Sequence, residues 1–297
     1  STRAYGWNNG DAMEETLSEI ASESTSQRKS PFREAMRHLW RHSSGRAGII
    51  ILSLLVLIAI FAPLIAPYDP TQLLKDQKRR EPPCIHLLGC PAEKQQHIFG
   101  IDGNSRALFS RVICGSRLSL QVGLATMAFA IVIGTIIGAV AAYAGGIVDN
   151  VIMRLMDILM AIPNVLLAIA IVATLGTGLV NLMIALGISA IPRFARVVRA
   201  TTLTIRKEEY IEAAVASGLN DFQIIATHIL PNCLPPIIVQ ISLGIADAIL
   251  MAAGLSFIGL GIQPPDPEWG TMLSEGRQFI RGYAYMTYFP GLAIALT

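Results

Sequence analysis

Charge is scarce in this chain. Only 15 % of its 297 residues are Asp, Glu, Lys or Arg, while 53 % are apolar. Soluble domains use about 25 % charged residues, so the balance points to a membrane protein. The net charge of +2 is too small to argue for nucleic acid as a partner. Cysteine is sparse as well, and four residues exclude a disulfide scaffold. Catalytic signatures are missing. No G-x-x-x-x-G-K-[ST] run is present to cradle phosphate. Gly176-x-Gly178 lacks a third glycine and a preceding strand, and neither H-E-x-x-H nor G-x-S-x-G occurs. The chain is expected to be no enzyme and to hold no cofactor or metal, so any use of ATP falls to another polypeptide. The first apolar run begins near residue 47, too late for a cleaved leader, and should remain as an anchor.

Long apolar runs are what the sequence has instead. Residues 1–29 read as a disordered acidic tail carrying Asp11, Glu14, Glu15, Glu19 and Glu23. Over 30–46, Ser30-Pro31 opens a helix with Phe32, Ala35, Met36, Leu39 and Trp40 on one face and Arg33, Arg37 and Arg41 opposite. That is the pattern of an amphipathic helix lying at a membrane surface. Residues 47–297 then form an all-α transmembrane domain. A span needs about 20 apolar residues, and runs near 47–67, 118–143, 153–174, 179–198, 235–257 and from 285 onward predict six. Arg28, Lys29, Arg33, Arg37, Arg41 and Arg46 precede the first span, and Arg193, Arg196, Arg199, Arg206 and Lys207 flank the 200–233 loop. Both clusters belong on the cytoplasmic side, which puts both termini inside and the 68–117 loop outside.

The stretch from Glu208 to Pro236 is the one long polar, helix-capable segment between the apolar runs. Glu212-Ala213-Ala214 ends one short helix, and Gly218 suits a sharp turn with positive φ. Asn220 caps the next helix, with Gln223 three residues on to complete a capping-box pair. That helix carries Phe222, Ile224, Ile225 and Ile229 and is expected to end at Pro231. Such a hairpin either docks into a groove on a soluble partner or lies flat on the lipid.

The spacing Glu212-Ala213-Ala214, Gly218, then His228-Ile229-Leu230-Pro231-Asn232 resembles the EAA loop of ABC-importer permeases, and is closest in form to their dipeptide/oligopeptide/nickel branch. GGIVDNVIMRLMDILMAIPNVLLAIAIVATLG (145–176), RVVRATTLTIRKEEYIEAA (196–214) and AGLSFIGLGIQPPDPEWGTMLSEG (253–276) are similar to that branch too. The resemblance implies the type I importer permease fold, six spans preceded by an elbow helix. It implies a bacterial inner-membrane subunit that forms half of a pathway with a second, homologous permease. Two ATP-binding subunits, alike or different, would hold ATP and Mg and dock on Glu212, Ala213, Ala214, Gly218, Leu219, Asn220, Asp221, His228 and Pro231. An external binding protein would deliver a di- or oligopeptide, or alternatively nickel or another small solute. An ATP-independent secondary transporter would need inverted repeats, and no such symmetry is visible.

Carboxylates within apolar spans are costly and face the bundle interior or water, which makes Asp157 and Asp247 candidates for the path. Asp157 lies three residues after Arg154 and is expected to pair with it, whereas Asp247 has no partner near in sequence. Members of the family place a Glu where this chain has Ala252. His228 reads as a hydrogen-bonded histidine at a helix end. Cys84, His86, Cys90 and His97 have the residue types of a metal site without a standard zinc spacing. A Cys84–Cys90 disulfide suits an external loop better, with free thiols the third reading. Residues 97–117 resemble the family's HPFGTDELGRDVLSR run, with Ile98 in place of the proline and Asn104-Ser105 in place of leucine-glycine. Pro264-Pro265 and Trp269 read either as a rigid turn with Trp at the headgroup level or as a gating or docking loop.

Overall fold

The computed structural model describes residues 43–74, 77–86, 89–91 and 95–297. The acidic tail and all but the last residues of the amphipathic helix expected at 30–46 lie outside them. In chain order the helices are α1 (Ser43–Ile65), α2 (Leu108–Ala144), α3 (Gly146–Ala161), α4 (Asn164–Leu175), α5 (Leu179–Ile205), α6 (Glu209–Ala216) and α7 (Asp221–Ile224). A π-turn (Ile225–Ile229) joins α7 to α8 (Leu230–Phe257), and α9 (Trp269–Gly276) and α10 (Tyr285–Leu296) follow. Among the described residues the only β pairing is two isolated bridges, Cys84 with His97 and Ile101 with Ala107. The chain divides into two units, residues 1–52 and 53–297. In the first, the described part is the opening of α1, and the second holds everything discussed below.

The centre of the second unit is α2 packed along α5. Gly134 and Gly138 lie one turn apart on α2, and a Cβ on Gly134 would stand 2.6 Å from the Phe194 Cβ. One on Gly138 would run into the Ala195 carbonyl oxygen. Their bare backbone lets the helices touch, the close approach that small residues four apart give to helices in lipid. Met127, Ala130, Met156, Ile191, Phe194, Ala195 and Ala248 fill the core so formed. Outside, α1 buries Ala59 and Ala62 but leaves Leu54, Leu57, Ile60 and Leu64 exposed. A surface so apolar is suited to hydrocarbon, not water.

Among the described residues, four helices are long and apolar enough to cross a membrane. The run expected as a single span at 153–174 is instead α3 and α4, bent by 92° at Ile162–Pro163. A proline disfavours the α conformation in the residue before it, and Ile162 sits at φ −89° and ψ 128°. If the bent pair counts as one span the total is five. The apolar helix α10 starts at Tyr285, where the last span is expected to begin. Among the described residues, four or five of the six expected spans are thus complete. Trp269 is likewise not at a headgroup surface: it is 3 % exposed and its indole N–H donates to the Val112 carbonyl at 2.9 Å.

Candidate functional site

The 206–236 segment folds as a hairpin set against the end of α2. Gly218 takes φ +82° at the turn, a left-handed conformation that glycine adopts without steric cost. The capping box is complete: Asn220 Oδ1 accepts from the Gln223 N–H at 2.9 Å, and Gln223 Oε1 accepts from the Asn220 N–H at 3.1 Å. Ile211, Ala214, Ile224 and Ile229 are buried together with Val198 and Cys233, and Leu219 packs against them. Of the apolar side chains that the second helix carries, Ile224 and Ile229 are thus spent on the hairpin's own core. Ala214 faces inward as well, and Ala213 and Glu212 remain exposed. Phe222 is 79 % exposed at the start of α7, a tip residue whose outward direction no local pattern could give.

Pro231 does not end the helix. Leu230 N–H bonds the Ile225 carbonyl five residues back, the widened turn of a π-helix. The widening makes room at the residue before a ring that has no N–H to give, and α8 runs on. His228 lies in this turn with Nδ1 2.6 Å from the Thr227 hydroxyl and its ring stacked on Tyr210. Two ties hold the hairpin to α2. The Tyr143 hydroxyl donates to Asp221 Oδ1 at 2.8 Å. Arg206 donates to the Tyr143 carbonyl at 2.9 Å and lies over its ring.

Three arginines one turn apart on α5 each meet a carboxylate from another helix. Arg193 Nη1 donates to Asp247 on α8 at 3.0 Å, and Arg196 Nη2 to Asp157 on α3 at 2.7 Å. Arg199 clasps Asp149 on α3 through Nε and Nη2. The partner of Asp157 is therefore Arg196 across the helix packing, not Arg154 on its own helix. Arg193, Arg196 and Arg199, read from sequence as flanking charge, lie within α5 and are paired.

At the other end of α2, the 68–107 loop is anchored by a buried charge cluster. Arg106 Nε donates to Asp102 Oδ2 at 2.7 Å, and its Nη2 donates to both oxygens of Glu275 at 2.8 Å. Arg111, fully buried, donates to Glu275 Oε2 at 3.1 Å. Cys84 and Cys90 are joined as a disulfide with Cα atoms 5.4 Å apart. His97, 4 % exposed, has both ring nitrogens without a hydrogen-bond partner among the described residues. Burial holds its pKa below the usual 6.5, opposed by the charge of Glu81. Among the described residues no three His, Cys, Asp or Glu side chains gather as a metal site.

Several lipid-length helices, ion pairs inside them and a rigid hairpin outside them define a multi-pass membrane permease. Residues 130–297 match the family described as the binding-protein-dependent transport system inner membrane component, and the chain belongs to it. Residues 30–83 match the N-terminal transmembrane domain of oligopeptide transport permease C. The dipeptide transport system permease protein DppC of Alkalihalophilus pseudofirmus is 46 % identical over 269 residues, covering 90 % of this chain and 84 % of that one. The glutathione transport system permease protein GsiD of Pectobacterium atrosepticum is 40 % identical over 287 residues, 96 % and 91 % of the two chains. Among solved structures, the inward-facing MetNI methionine ABC transporter matches with a TM-score of 0.51 at 23 % identity, over 64 % of this chain and 90 % of that one. At that identity the likeness is one of fold.

Proposed function

We propose that this chain forms one wall of an ATP-driven importer of di- or oligopeptides and has no catalytic activity of its own. A second, homologous permease completes the pathway, two ATP-binding subunits hold ATP and Mg, and an external binding protein supplies the cargo. The hairpin carries the reading. It is braced on α2 by Tyr143 and Arg206 and packed through Ile224 and Ile229, so a push at Phe222, Glu212 or Ala213 reaches α2 and α5 without being lost in a flexible loop. On this reading the hairpin faces the cytoplasm, as do both termini, and the 68–107 loop faces outward. The peptide cargo rests on the relatives, whose names specify dipeptide and glutathione transport.

The test is purification in mild detergent, followed by uptake of a labelled dipeptide into vesicles that contain ATP. An ATP-binding subunit and a second permease should stay bound, and uptake should stop without ATP. Gly218→Trp should release the ATP-binding subunit, because Trp strains a φ +82° turn and adds bulk at the docking tip. A chain that purifies alone and moves solute without ATP would overturn the reading.

A further inference from the structure

We infer that the Arg193–Asp247 pair is a station for the charged ends of a passing peptide: Arg193 takes the carboxylate and Asp247 the ammonium. This deepens the peptide reading above and rests on it. Arg193 stands near the middle of α5 and Asp247 within α8, helices of membrane-crossing length. Yet the pair is open, with 38 % of the Arg193 side chain and 61 % of that of Asp247 exposed. It lines a cleft of about 40 Å³ together with Thr126, Asn164, Ser189 and Met251. Thr126 is fully buried, and its hydroxyl has no hydrogen-bond partner among the described residues. Buried polar groups are nearly always paired, so a hydroxyl left free at a cleft beside an open ion pair is a vacant contact.

Charge in a low-dielectric region is tolerated only while it is compensated. A zwitterionic peptide brings the same two charges that the pair presents. It can enter by exchanging partners, so that no charge is left alone at any point. A volume near that of one or two waters seats one end group and not a dipeptide. Arg193 is the more recessed partner, so the carboxylate enters the cleft, where Thr126 can donate to it. Asp247, released, meets the ammonium at the opening. The pair thus presents a carboxylate on α8 and its counter-charge on α5.

The experiment uses the full complex in vesicles, fed by one binding protein with a dipeptide and with its N-acetylated and C-amidated forms. Wild type should favour the free dipeptide. Asp247→Asn should cut the preference for the free amine about tenfold, and Arg193→Gln the preference for the free carboxylate by the same factor. The double variant Arg193→Asp with Asp247→Arg restores an ion pair, and with it assembly, but should keep both losses. Thr126→Val, which breaks no internal hydrogen bond, should raise KM for the dipeptide about fivefold at unchanged Vmax. End-group preferences equal to wild type in the assembled variants, or a swapped pair that transports normally, would reduce the pair to a structural tie and overturn the inference. Wild type that imports no peptide would sink the peptide reading itself, a different result from the first.

Discussion

His97 shows how burial alone can make a residue pH-sensitive. The ring is enclosed, its nitrogens have no partner among the described residues, and burial holds its pKa below 6.5 in the folded chain. Between those two values the unfolded chain binds more protons than the folded one, so stability rises with pH. The contribution is complete above pH 6.5 and is lost as pH falls through the folded pKa. Thermal unfolding of the purified protein should therefore drop in midpoint as pH falls below 6.5, and His97→Phe should flatten that dependence. Two residues past Gly103, Ser105 stands at φ +62°, where a side chain costs about 1 kcal/mol. The family pattern has glycine there. Allowing for glycine's looser unfolded chain, Ser105→Gly should gain about 0.5 kcal/mol, seen as a small rise in melting temperature, and Ser105→Val should lower it.

At the scale of elements, legibility followed the range of the interaction. The Asn220–Gln223 capping box spans three residues and was readable from the sequence. The pairing of Asp157 with Arg196 spans 39 residues, and the local rule favoured Arg154 because it sees only one helix. Pro231 was read as a stop because nothing in the sequence announces the π-turn that accommodates it. Pro163 did carry a local signal, but the apolar run on either side of it reads as one span. Phe222 was visible as apolar yet not as exposed, since its direction depends on which face α7 turns to α5. Its exposure yields a prediction: Phe222→Ala should weaken the hold of the ATP-binding subunit about tenfold, measured as retention in detergent, with helical content unchanged. Where α2 meets α5, Gly138→Leu should cost several kcal/mol, because a side chain there must displace the Ala195 backbone. Loss of folded protein on a sizing column is the readout.

For the whole molecule, α2 is the ruler. Its 37 residues cover about 55 Å, well over the ~30 Å hydrocarbon core. One end carries the buried Asp102–Arg106–Arg111–Glu275 cluster under the long loop, and the other carries the Tyr143–Asp221 tie to the hairpin. If α2 crosses the bilayer along its length, as the proposed importer requires, these two ends lie on opposite sides of it. Basic-residue counts argued the same sidedness from sequence, although Arg193, Arg196 and Arg199, which entered that count, prove to be committed to Asp247, Asp157 and Asp149. The remaining basic residues, Arg206 and Lys207 beside the hairpin, still carry that argument. A membrane-impermeant maleimide can test it in sealed cells carrying a single added cysteine, with Cys114 and Cys233 replaced by serine. Gln72→Cys, exposed in the long loop, should label from outside, and Ser217→Cys, exposed beside the hairpin turn, should label only after the membrane is opened. Labelling of both from the same side would mean that α2 does not cross, and the hairpin could not then pass the movement of a cytoplasmic partner to the spans.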